Sequence, residues 1–357
     1  MKAVLLAAGP GRRLRPLTHT GPKHLIPIAG KPILQYGIEA LKQAGFTEMA
    51  IVVGHMKEQI MDYLGDGSRF GVKATYISQE PQKGIADAIM RTRSYVGEER
   101  FVAYLGDNLM KKGIQTYVSS FNEHKPDASV LLCRVKSPER FGVAQVEGRH
   151  VVRLEEKPRV PKSNLALVGV YLLTPKIFDI IADLKPSWRG ELEITDALQK
   201  LVSGGHTVDF SIVDGWWADS GRPEDLIEAT TLILDNIETD VRGQIHENVQ
   251  INGRISIGER TNIRERCRLR GPIYIGKDCV IGPDTYVGPY TSIEDACTVS
   301  GGEIENTVVL GGCRIELSSD KRIVDSLIGS NSSIVAGENL KPKGTRLVVG
   351  ENSCLAI

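Results

Sequence analysis

Close to the start of the chain, Gly9-Pro10-Gly11-Arg12-Arg13-Leu14-Arg15-Pro16-Leu17-Thr18 is followed at once by Pro22-Lys23-His24-Leu25-Ile26-Pro27. Glycine backbone can bend tightly or approach a ligand closely, and Arg12, Arg13, Arg15 and Lys23 set fixed cations beside it. Amide donors next to cations are the chemistry a polyphosphate needs. Two familiar phosphate loops do not fit. A P-loop requires Gly-Lys-Ser/Thr after its glycines, and a dinucleotide fingerprint requires a third glycine where Leu14 stands. On the glycines alone, an ordinary strand-to-helix turn with solvated arginines is an equal reading.

A second chemistry is carried by carboxylates. Asp107 ends an apolar run in Leu105-Gly106-Asp107-Asn108, and Asp219 lies in Trp216-Trp217-Ala218-Asp219-Ser220-Gly221. Mg²⁺ takes one or two carboxylates together with phosphate oxygens and water, so two such aspartates could meet at one ion. Spacing does not show that they converge, and an aspartate before Asn or Ser-Gly also suits a plain turn.

The elements that must position these groups follow a β-α-β rhythm. Val4-Leu5-Leu6-Ala7-Ala8 reads as a buried parallel strand feeding the loop. Apolar spacing predicts helices over 32–44, 57–64 and 85–96 and strands over 50–54, 73–77 and 101–108. From about 129 the pattern turns to strands and hairpins, over 130–135, 142–146 and 167–172, with helical spacing again at 175–183 and 194–202. A further helix starts at Pro223-Glu224-Asp225, with proline and acids where a helix start wants them, and runs to Ile237. We read an α/β fold built on a doubly wound, mixed and mostly parallel sheet, with ligands at the carboxyl ends of its strands. The glycine loop and Asp107 both fall at such ends.

Beyond this the period changes to six. Ile245, Ile251, Ile257, Ile263, Leu269, Ile275, Ile281, Val287, Ile293 and Val299 recur in register, with a small or β-branched residue four positions after most of them, as at Thr261, Cys267, Cys279 and Cys297. Neither a helix nor a flat strand repeats that way, whereas a parallel β-helix of hexapeptide repeats does. The rhythm breaks near 301–321 and resumes at Ile328 and Ile334, which predicts an excursion or irregular coil between. The expected domains are 1–240 and 241–357.

With 357 residues, two domains are the natural expectation. Lys and Arg balance Asp and Glu at 44 each, so no global field favours nucleic acid or an anionic membrane, and any anion site must be local. No apolar run is long enough to span a bilayer, and arginines follow the first apolar stretch in the wrong order for an export signal, so a cytoplasmic location is expected. Cys133, Cys267, Cys279, Cys297, Cys313 and Cys354 contain no C-x-x-C pair and read as reduced packing residues.

The whole spaced pattern, Gly9-x-Gly11-x-Arg13-Leu14-x-Pro16-Leu17-Thr18 and then Pro22-Lys23-x-Leu25-x-Pro27, resembles that of the sugar-1-phosphate nucleotidylyltransferases, and within them the long thymidylyltransferases. The resemblance runs over essentially the whole chain. It implies a nucleotide-diphospho-sugar transferase type of sheet and a left-handed β-helix. It also implies a Mg²⁺-dependent displacement in which glucose 1-phosphate attacks the α-phosphorus of dTTP, giving dTDP-glucose and pyrophosphate. UTP or another sugar phosphate is the alternative, and a non-catalytic regulatory subunit a more distant one. Arg13 and Lys23 match the catalytic cations. Leu6, Ala8, Gly9, Gly11, Gln79 and Gly84 match nucleotide-binding positions, with Gln79 where the pyrimidine edge is read. Asn108, Gly142, Glu156, Lys157 and Leu167 match sugar-phosphate positions, and Asp107 and Asp219 the metal ligands. Departures are Ala8 where glycine is common, His24 where glutamine or alanine is, Phe141 for tyrosine and Leu167 for valine. Arg189 to Asp196 matches a segment near the sugar. A homo-oligomer is implied, with no nucleic-acid or membrane partner. Some β-helices of this kind transfer acyl groups with a histidine as base, but His246 alone falls in this domain, at its very start, which speaks against a second activity.

Overall fold

The computed structural model describes residues 1–336. The chain forms two compact units: one comprises Met1–Pro10, Pro22–Leu25 and Ile33–Asp219, and the other Gly11–Gly21, Ile26–Pro32 and the chain from Ser220 onward.

The first unit is built on a nine-stranded mixed sheet. Its strands are β1 (Lys2–Ala7), β2 (Glu48–Val53), β3 (Lys73–Ser78), β4 (Phe101–Leu105), β6 (Ala128–Arg134), β7 (Gly142–Glu147), β8 (His150–Glu156), β9 (Leu165–Leu173) and β10 (Val208–Ile212), while β5 (Asn108–Met110) and β11 (Trp217–Asp219) form a separate pair. The order is β3-β2-β1-β4-β9-β6-β10-β8-β7, with β7 also touching β9. The first four strands run parallel, and β9 enters antiparallel between β4 and β6.

Helices cover both faces because β1 is apolar on both. Val4 and Leu6 pack in one core with Ala86, Ile89, Phe178 and Leu198, and Ala3, Leu5 and Ala7 in another with Leu34, Ile38, Leu41, Ile60 and Phe121. Burying each such large side chain contributes about 1.5–3 kcal/mol. Phe101 and Phe178 add a stacked ring pair with centroids 5.4 Å apart.

Two expectations differ in detail. The helix expected over 85–96 is two, α3 (Ile85–Met90) and α4 (Arg93–Val96). Between them Thr92 is fully buried and its hydroxyl donates to the Ile89 carbonyl at 2.7 Å, which turns the chain. The strand expected over 101–108 ends at Leu105; Gly106 and Asp107 bridge to β5, which pairs with β11. Two strands of the nine-stranded sheet went unread. β8 carries a bulge between Val151 and Arg153 that spoils its alternation, and β10 contains Asp209. That carboxylate is matched by His150 Nδ1 at 2.8 Å and Arg149 Nη2 at 3.2 Å.

The second unit holds a parallel β-helix of three sheets. The apolar residues six apart go round the three sheets in turn. Ile245, Ile263, Ile281, Val299 and Ile315 stack in one, Ile251, Leu269, Val287 and Ile304 in the next, and Ile257, Ile275, Ile293 and Val309 in the third. The coil does not leave its course over 301–321. Glu303–Glu305, Val308–Val309, Arg314–Glu316 and Arg322–Val324 continue the three sheets, and the irregularity lies in their spacing, shorter than six residues from Val299 to Val309 and longer from Ile315 to Ile323. Cys267, Cys279, Cys297 and Cys313 are buried free thiols, as the small-residue positions of the first three suggested, and Cys354 lies outside the described residues. The helix Pro223–Leu234, preceding the coil, belongs to this unit.

Candidate functional site

At the carboxyl end of β1 the backbone is drawn close to its neighbours. A Cβ on Gly9 would stand 3.0 Å from Lys23 Cε, and one on Gly54 2.8 Å from the Ala8 carbonyl. That carbonyl accepts from the Gln82 amide. Leu6 is buried, and its carbonyl accepts from Gly106 N at 2.8 Å, which fixes the turn that carries Asp107.

Lys23 reaches across this end of the sheet to form an ion pair with Asp107 Oδ2. Burial opposes a charge on Asp107, but the ammonium of Lys23 and hydrogen bonds from Lys23 and Asn108 outweigh it and hold the carboxyl well below its usual range. Next to Lys23, His24 is buried, and its pKa is pushed down to about 3 by that burial and then by the Lys23 charge. It is therefore neutral, and its Nδ1 has no hydrogen-bond partner.

Asn108 organises the acids. Its Nδ2 donates to Asp107 Oδ1 at 3.1 Å, while its Oδ1 accepts from Gly169 N at 3.0 Å and from Trp217 Nε1 at 2.6 Å. The antiparallel β5–β11 pair sets Asp219 opposite Asn108. Two carboxylates from distant parts of the chain are thereby brought to one place, which their spacing could not reveal.

A polar cup lies beside them. Thr195 donates to Glu156 Oε2 at 2.7 Å, and Arg189 and Lys157 approach Glu156 Oε1 at 3.5 and 3.4 Å. Arg189 also bonds Glu193 at 3.1 Å. A Cβ on Gly142 would meet Leu167 Cδ1 and Thr195 Oγ1, each at 2.7 Å, and Glu156 Oε2 at 3.2 Å, so Gly142, Glu156 and Leu167 share one wall. Phe141 packs on Trp217 with ring centroids 5.2 Å apart, which joins this wall to Asn108. Tyr171 is buried among the acids: its phenol is pushed up first by burial and then by Glu156, Asp107, Asp219 and Glu193. Glu193 is itself raised by burial and by Glu156.

Elsewhere in the first unit, the Gln79 amide nitrogen donates to Gly84 O and to Asp87 Oδ2, both at 2.9 Å. Gly84 sits at φ +105°, with the Leu192 carbonyl 2.5 Å from where a Cβ would be, so only glycine fits. Gly11 and Arg13 belong to the second unit. There Gly11 adopts φ 63°, its carbonyl accepts from Thr18 Oγ1 at 2.9 Å, and a single turn over Arg12–Leu14 exposes Arg13 while burying Leu14.

Tyr171, Asp87 and Arg91 were not picked out from the sequence. Tyr171 sits in an unbroken apolar strand that hides it, whereas the four-residue step from Asp87 to Arg91 on a helix was a readable sign of an ion pair. Among the described residues no group of three or more His, Cys, Asp or Glu could hold a metal. No helix of the described residues is long and apolar enough to cross a membrane.

Comparison with known proteins bears on this arrangement. The nucleotidyl transferase family matches residues 2–236. The low-salt glycan biosynthesis nucleotidyltransferase Agl11 of Haloferax volcanii is 48% identical, covering 100% of both chains. The glucose-1-phosphate thymidylyltransferase of Streptomyces griseus is 42% identical over 99% of this chain and 98% of its own length. A solved UDP-glucose pyrophosphorylase complexed with UDP-glucose superposes with a TM-score of 0.61 at 29% identity, covering 66% of this chain and 99% of its own. The match runs through the glycine loop, the acids at β5 and β11 and the polar cup alike, and the chain belongs to the nucleotidyl transferase family.

Proposed function

We propose that the chain transfers a thymidylyl group from dTTP to glucose 1-phosphate, releasing pyrophosphate. The observation that carries this reading is the placing of Asp219 opposite Asn108, the neighbour of Asp107, in the β5–β11 pair, together with the Gly142–Glu156–Leu167 wall. Acids at one end and a hydroxyl-reading cup at the other suit two phosphorylated substrates lying between.

In this reading the sugar phosphate oxygen attacks the α-phosphorus and pyrophosphate leaves in line. Such a step asks the protein mainly for positioning and charge stabilisation. Lys23, held by Asp107, presents a fixed ammonium beside the Gly9 backbone for the phosphates. Glu156, steadied by Thr195 and Arg189, accepts from sugar hydroxyls, and Lys157 meets the sugar's phosphate. Asp107 and Asp219 are the groups that would hold Mg²⁺: two carboxylates completed by phosphate oxygens and water are a common set for that ion. Bound there, it would neutralise charge on the phosphates.

UTP is the second reading, favoured by the likeness to the UDP-glucose-complexed structure. A single methyl separates the bases, which a pocket discriminates by only about 1–3 kcal/mol. Homo-oligomeric assembly belongs to the same proposal, and light scattering on the purified chain checks it.

The deciding experiment is pyrophosphate release from dTTP, UTP, CTP, ATP and GTP with glucose 1-phosphate and its amino and N-acetylamino analogues, with and without Mg²⁺. Metal-dependent release led by dTTP and glucose 1-phosphate supports the reading. A different best pair changes the substrates, and silence across the panel removes it.

A further inference from the structure

We propose that Asp87 is a positioning residue for base selection, holding the Gln79 amide so that its oxygen is what faces ring position N3 of the base. The inference rests on the reading of Gln79 as the residue that meets the pyrimidine edge.

A glutamine amide is ambiguous. Turned one way it offers a bidentate donor, turned the other an acceptor, and a base reader must be locked in one state to discriminate. Here the surroundings lock it. The two groups within reach of one end of the amide are the Gly84 carbonyl and the Asp87 carboxylate, both 2.9 Å away. A carbonyl and a carboxylate are acceptors only, so the end that faces them must be the NH2, and each takes one of its two hydrogens. The reversed amide would set an oxygen against two others.

Oε1 is then the group Gln79 has to offer, and it takes no hydrogen bond among the described residues. At N3, thymine and uracil carry a hydrogen, whereas cytosine carries a lone pair. An acceptor held against that position pairs with the first two bases and opposes the third. A site built around a specific hydrogen bond rejects the ligand that lacks it far more strongly than a shape difference does, because its own polar group is left unpaired.

Three features keep the lock rigid. Gln79 is 4% exposed, and its backbone N–H donates to the Val53 carbonyl at 2.7 Å, which extends the β2–β3 ladder to the residue itself. Gly84 is clamped against Leu192, so its carbonyl has little freedom. Arg91 Nε bonds the same Asp87 oxygen at 3.2 Å from one turn further along, and fixes the carboxylate rotamer. Arg91, Asp87 and Gln79 thus form a relay that ends on the base. Thymine and uracil are alike at N3, so the relay selects both against cytosine and leaves their mutual discrimination to other contacts.

The test compares kcat/KM for dTTP, UTP and CTP, each with saturating glucose 1-phosphate, in the full chain and in Gln79→Ala, Asp87→Ala and Asp87→Asn. Asp87→Ala frees one hydrogen of the amide and lets it turn; the ratio of UTP to CTP specificity is expected to fall about tenfold, the worth of one well-made hydrogen bond. The fall should lie in KM for dTTP and UTP, with kcat kept. Asp87→Asn retains an acceptor oxygen and should keep part of the selectivity. Equal losses for all three nucleotides, or an unchanged ratio in Asp87→Ala, overturn the proposal. Gln79→Ala separates the two layers. If it leaves the ratio unchanged, the base-reading assignment fails and the relay with it. If it lowers the ratio while Asp87→Ala does not, only the relay fails.

Discussion

Asn108 stands directly opposite Asp219 in the β5–β11 pair while its side-chain amide bonds its neighbour Asp107, so one buried residue relates both acids, by its backbone to the first and its side chain to the second. Its other contacts, to Gly169 N and Trp217 Nε1, tie the acids to the central strand β9 and to the aromatic wall.

The first prediction concerns these acids. Asp107→Asn and Asp219→Asn should each lower kcat by at least about 100-fold, in the range seen when one group that stabilises transition-state charge is lost. The circular dichroism spectrum should stay that of the parent. Retained turnover in both variants would remove the metal assignment.

Lys23 and Asp107 form a pair whose side chains are 11% and 12% exposed. Removing one partner of such a pair leaves a buried charge uncompensated, which typically costs about 3–5 kcal/mol. Lys23→Met should destabilise the chain by about that much at neutral pH in urea unfolding, and the double variant with Asp107→Asn by less than the sum. The sign with pH follows from a carboxyl held below its unfolded value: its stabilisation is present above about pH 4 and is lost as pH falls through the folded value. Additive losses would mean that the two side chains do not act as a unit.

Gly142 offers a test of the sugar wall. A methyl there would press on Leu167, Thr195 and Glu156 together. Gly142→Ala should raise KM for the sugar phosphate about tenfold or more while leaving KM for the nucleotide near its parent value, since misplacement by an ångström at a binding contact is costly. A rise in both constants would show a general loosening instead.

The fold was readable where one physical pattern dominated. Apolar runs and helical spacing placed β1 to β3, α1 (Ile33–Gln43) and α2 (Lys57–Leu64) near their observed bounds, and the six-residue period of Ile245 to Val299 placed the coil. It was less readable where tertiary partners decided the outcome. Asp209 makes sense in a strand only once Arg149 and His150 are known to meet it. The site follows the same division. Residue types pointed to Lys23 and Asp107, and the family resemblance to Glu156, but the pairing of Asp219 with Asn108, and Tyr171 among four acids, are properties of strands brought together from far apart.

The last prediction lies in the β-helix. Glu294 is buried, with its Oε1 accepting from Ser292 Oγ at 2.8 Å and from Gly30 N at 3.2 Å. Burial pushes its carboxyl from 4.5 up to about 7 against the pull of those two donors, and neighbouring Asp295 adds to the rise; the Tyr274 phenol, also raised mainly by burial, feels the same carboxyl. An unfolded chain loses this proton near 4.5, whereas the folded chain keeps it to about 7. Between those values the folded state binds more protons than the unfolded one, so stability falls as pH rises through the window and levels off above it. The loss should reach up to about 3 kcal/mol. Glu294→Gln keeps the oxygen that both donors use and removes the titration. Urea unfolding at about pH 5 and about pH 8 should show the parent losing more stability than the variant across that interval. Parallel losses in the two proteins would mean that Glu294 titrates at its ordinary value and that burial is relieved by water.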